Sequence, residues 1–89
     1  MEIKEVSLRC SVSGGMFPGE ASASFKAANG EEVSLFCSSK YVDKAGSLLT
    51  VRLVSVQGDV ASVRLPAESL NGSRFVQVKA DQVKERQTA

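Results

Sequence analysis

From Ala21 to Lys26, and again from Glu32 to Leu35, small or apolar residues alternate with polar ones at a period of two. Successive side chains of a strand point to opposite faces, so the two stretches read as a half-buried β-hairpin. Turn chemistry then decides its register. A two-residue Asn29-Gly30 turn would set Lys26 opposite Val33 and Phe25 opposite Ser34, mixing the faces. A three-residue loop, Ala28-Asn29-Gly30, with glycine in the left-handed bulge position pairs Phe25 with Val33, Ala23 with Leu35 and Ala21 with Cys37. Lys26 then meets Glu32 and Ser24 meets Ser34, one face being apolar and the other polar. The second register is the expected one.

The same rule predicts a second hairpin from residues 48–56 and 60–66, around Val56-Gln57-Gly58. It pairs Leu53 with Ala61, Val51 with Val63 and Leu49 with Leu65. The opposite face carries Val54 with Val60, Arg52 with Ser62 and Thr50 with Arg64. Residues 3–12 read as one strand, with Val6, Leu8, Cys10 and Val12 on its buried face and a glycine turn after it. Residues 38–46 suggest one short helical turn, and Pro66 ends the fifth strand. Residues 67–72 form a turn and 73–79 a last strand. Residues 1–83 are expected to make one small domain, with 84–89 a flexible polar tail.

Twelve valines and thirteen serines, with no long helical periodicity, make the chain all-β. Six short strands in 89 residues imply a small six-stranded barrel or a rolled antiparallel sheet. The order of elements is similar to that of SH3-like small barrels. The short helical turn between the third and fourth strands also permits an OB-like barrel.

Composition excludes much chemistry. Histidine is absent and only two cysteines are present, so no histidine triad or histidine zinc site can form. The carboxylates lie in turns, at strand ends or on polar faces, and Ser38-Ser39-Lys40 is an ordinary polar turn. The expectation is a protein without catalytic activity, cofactor, metal or small-molecule substrate. Gly14-Gly15-Met16-Phe17-Pro18-Gly19 lacks the Gly-Lys-Ser/Thr ending of a phosphate loop. Cys10 and Cys37 have no neighbour to activate them and are expected to be small buried thiols, a bridge between two strands being the alternative. The N-terminus is charged, and no run approaches the ~18 apolar residues of a membrane span. The expected compartment is the cytoplasm.

What remains for function is surface. Met16 and Phe17 sit between glycines as candidate anchors; Phe36 and Phe75 fall on nominally outer faces, and Tyr41 lies in a loop. With Val54, Val56 and Val60 they suggest a module that binds a protein partner or a second copy through an apolar-aromatic surface. The alternative is an RNA- or single-stranded-DNA-binding face built on Arg52 and Arg64, with Arg74, Lys26 and Lys79 in support. A net charge of only +1 weighs against it.

Overall fold

The computed structural model describes residues 4–85. Among the described residues nine strands follow one another: β1 (Lys4–Arg9), β2 (Ser11–Gly14), β3 (Glu20–Lys26), β4 (Glu32–Ser38), β5 (Val42–Asp43), β6 (Leu48–Gln57), β7 (Val60–Arg64), β8 (Phe75–Lys79) and β9 (Val83–Glu85). Two 3₁₀ turns, Ser39–Tyr41 and Ala80–Gln82, precede β5 and β9. The chain is all-β, as its alternation implied. The strands form two antiparallel sheets, β8-β7-β6-β1-β9 with β5 also on β6, and β2-β3-β4; neither closes into a barrel.

The first hairpin has the expected register, from Phe25↔Val33 through Ala21↔Cys37 to Lys26↔Glu32. Gly30 carries a φ of 90°, which an L-residue with a Cβ adopts only under strain. The second hairpin departs from expectation. Its loop is two residues, Gly58-Asp59, between Gln57 and Val60. Gly58 alone has a positive φ, of 62°, the pattern of a type II′ turn, whose twist matches that of the flanking strands. The shorter loop is absorbed by a bulge at Val54, after which Leu53 pairs with Val63 and Arg52 with Arg64. Arg52 and Arg64, expected in separate rows, are therefore directly opposite each other. The bulge also sets Val56 beside buried Ala61 and Val60 beside Gln57, so Val56 and Val60 take opposite faces of the hairpin.

Residues 3–12 are not one strand. The ladder between β1 and β6 ends with Cys10 N–H donating to the Ser47 carbonyl, and the chain then enters the smaller sheet as β2. Apolar side chains face the same core before and after the crossing, so the period of two gives no sign of it. Both sheets close on that core, with Val6, Leu8, Leu49, Val51 and Val63 from one layer and Ala23, Phe25, Val33 and Leu35 from the other. Short elements with too few residues to show a period were missed. Val42 and Asp43 pair with Leu49 and Leu48, taking the edge of β6 that the expected register gave to Leu65. Val83–Glu85 pairs with β1 and so extends into the first two residues of the expected tail; residues 86–89 lie outside the described residues.

Candidate functional site

The outer face of the larger sheet holds the most chemistry. Val6, Leu8, Leu49, Val51, Ala61, Val63 and Val78 define its buried side, so the alternate positions point outward. Across four strands the registers align Glu5, Arg52, Arg64 and Phe75 in one row. Ser55, Ser62 and Gln77 make the next row, and Gln57, Val60 and Lys79 the one after. Lys84 lies beside Ser7, and Arg9 beside Leu48, whose other neighbour is Asp43. The face thus carries Arg9, Arg52, Arg64, Lys79 and Lys84 against Glu5 and Asp43. The smaller sheet turns Glu20 and Glu32 outward, with serines and Lys26. A balanced total charge is therefore divided unequally between the two layers.

A notch opens in this face beside the arginine row. Continued by two residues, the Arg52↔Arg64 register sets Pro66 opposite Thr50. Proline has no N–H to extend the ladder. The chain turns away, and Leu65 N–H donates to the Arg74 carbonyl of the neighbouring segment. On the other side of the gap, β5 pairs only with Leu48 and Leu49. The result is a concavity of about 240 Å³. Val51 and Leu65 lie at its base, with Glu5, Tyr41, Thr50, Pro66 and the side chains of Arg52, Arg64 and Arg74 around it. Among the described residues, the contacts of the three guanidinium groups are a long hydrogen bond from Arg74 Nη2 to the Pro66 carbonyl, at 3.4 Å, and the Arg64 group 5.9 Å from the Phe75 ring. Like charges directly opposite in a sheet cost about 0.2–1 kcal/mol. The ring contact returns a similar ~0.5–1 kcal/mol, so the arrangement is held at little net cost.

The sequence candidates separate into groups. Tyr41, Arg52 and Arg64 meet at the notch, with Phe75 beside Arg64 and 61% exposed. Tyr41 is half-buried and has Lys40 Nζ 5.1 Å from its ring. Phe36 lies elsewhere, half-buried on the outer face of the smaller sheet opposite Ser22. Met16 and Phe17 are exposed, at 75% and 67%, in the β2–β3 loop. There Met16 N–H donates to Glu20 Oε1 at 2.8 Å and Glu20 N–H to the Phe17 carbonyl at 3.0 Å. Glu5, Thr50 and Pro66 were missed as site residues. The available signal was Pro66 itself, a strand-breaker two residues after Arg64.

The thiols are free, Cys37 buried and Cys10 half-buried at the crossing between sheets. Burial, and secondarily Cys37, push Cys10 up to about 11. Burial and then Glu20 push Cys37 upward too. Both environments disfavour a thiolate. A thiol held protonated by the fold stabilises it below the unfolded pKa of about 8.5 and loses that contribution as pH rises toward the folded value. The melting temperature is therefore expected to fall between pH 8 and 11, and to fall less in Cys10→Ala. Equal slopes in thermal scans of the two proteins would refute the assignment.

Among the described residues no group of histidine, cysteine and carboxylate side chains is arranged to hold a metal, and no helix is long and apolar enough to cross a membrane. Comparison with known proteins returned no match, whether to a family model, a curated protein or a solved structure.

Proposed function

We propose that the protein is a non-catalytic binding module that holds single-stranded nucleic acid on the outer face of its larger sheet. The observation that carries this reading is the division of charge. The +1 total conceals a face with Arg9, Arg52, Arg64, Lys79 and Lys84 against Glu5 and Asp43. Exposed Phe75 beside Arg64 offers a base a stacking surface next to a phosphate partner. The interleaved serine, threonine and glutamine side chains suit polar contacts with sugars and base edges. OB-like barrels use the face of a bent antiparallel sheet in this way, and the likeness proposed here is to that use. Five strands at ~4.8 Å spacing make a face about 19 Å wide, enough for a site of about four nucleotides, the lower end for such folds.

The test is fluorescence anisotropy with labelled eight-nucleotide oligo(U) and oligo(dT) at several salt concentrations. With about four phosphates neutralised, affinity should drop roughly 50-fold between 50 and 200 mM salt. Absence of binding at 50 mM salt would remove the reading.

A second reading, self-association, has its own observation. Among the described residues the outer edge of β2 is paired with no strand, and exposed Met16 and Phe17 follow it. An open edge beside an apolar loop is a template for pairing with another copy. Sedimentation at micromolar concentration separates the two: a dimer lost on Phe17→Ser would favour this edge.

A further inference from the structure

We infer that the notch at Arg52, Arg64 and Arg74 is a seat for a terminal phosphate, so that the module recognises an end of a strand; this rests on the nucleic-acid reading above. The three guanidinium groups reach the notch from three different segments: β6, β7 and the turn before β8. Each presents a planar fork of N–H donors suited to two oxygens of a phosphate. Their sparse contacts with the rest of the described chain, one 3.4 Å hydrogen bond and one ring, leave most of those donors for a ligand. Thr50 and Tyr41, which also line the notch, add hydroxyl groups.

Size and charge favour an end over a passing backbone. The concavity is about 240 Å³, the volume of a small anionic group and its immediate attachment. It opens at the gap between β5 and the Pro66 turn. Three arginines and Glu5 give the lining a formal charge near that needed to match a doubly charged anion. A phosphate monoester carries about −1.5 to −2 at pH 7 and three terminal oxygens, whereas each backbone linkage supplies only one charge. The same oxyanion chemistry occurs in a phosphorylated protein side chain. The open, basic and aromatic face around the notch favours a nucleic-acid strand, which would lie across Phe75 with its end at the arginines.

The experiment is calorimetric titration of the full chain with unlabelled eight-nucleotide oligo(U) at 50 mM salt and pH 7.5. Three forms are compared: 5′-phosphate, 3′-phosphate, and both ends hydroxyl. The expected result is roughly tenfold tighter binding of one phosphorylated form. Arg74→Gln should abolish the preference and Arg74→Lys restore part of it. Because Arg74 is exposed and its bond to Leu65 is made by the backbone carbonyl, circular dichroism should show both variants folded. As a measurement independent of any substitution, inorganic phosphate should shift the amide resonances of Thr50, Arg52 and Arg64. Equal binding of all three oligonucleotides would overturn the end-phosphate seat and leave the broader nucleic-acid reading standing. Binding of none of them, with a phosphoserine peptide bound by the native protein and lost in Arg74→Gln, would overturn both and assign the notch to a protein ligand.

Discussion

The double variant Arg52→Gln/Arg64→Gln is expected to lose most single-strand binding while remaining folded. The two arginines are directly opposite on neighbouring strands at the centre of the basic row. Their side chains point away from the core, so glutamine removes charge without opening a cavity. Each phosphate contact to a single strand contributes about 0.7 to the slope of log affinity against log salt. Removing two should flatten that slope by about 1.4 and lower affinity at 50 mM salt by one to two orders of magnitude. Anisotropy titrations at four salt concentrations give both quantities. Lys26→Gln, which removes a charge on the outer face of the smaller sheet, is the control. If control and test weaken binding alike, attraction is diffuse and the arginine row is not its centre. Thermal stability should change little in the test variant, since relief of repulsion and loss of the Phe75 contact oppose each other.

Leu49→Ala should come close to unfolding the protein. Leu49 is 0% exposed and pairs with Leu8 on one side and Val42 on the other. It ties together the strands on the two edges of β6 within the core. Truncating a fully buried leucine costs about 2–5 kcal/mol through lost transfer energy and the cavity left behind. A domain of this size has roughly 5–13 kcal/mol in total, and 1 kcal/mol shifts its melting temperature by about 4–8 °C. A fall of roughly 10–30 °C is therefore expected in a scan followed by circular dichroism. Leu70→Ala provides the contrast: this side chain is 68% exposed, so the change should lie within about 0.5 kcal/mol. Similar losses in the two variants would contradict the packing described here.

The residues differ in how much of this could be read from the chain. The register of the first hairpin was legible because only one loop length kept Phe25, Ala23 and Ala21 on the side of Val33, Leu35 and Cys37. The second hairpin followed the same rule less well. Two loop lengths were compatible with its valine-rich faces, and the bulge at Val54 corrects for the shorter one. Arg52, Arg64 and Tyr41 were identified as candidates without their shared location. Arg74 reaches them only because Pro66 diverts the chain, while Phe36, equally prominent as an aromatic, falls on the other sheet.

Alternation and glycine placement determined the all-β class, the inward face of most strands and the tight turns, because side-chain direction in a strand is a local property with a period of two. That periodicity specifies a face but neither a sheet nor a neighbour. The crossing at Cys10, the pairing of the short strands β5 and β9 and the opposition of Arg52 to Arg64 were settled by three-dimensional packing around a shared core. Charge follows the same division. Its sum is fixed by composition at +1, but a partner meets the local field of one face, and which charges share that face depends on how the strands are ordered.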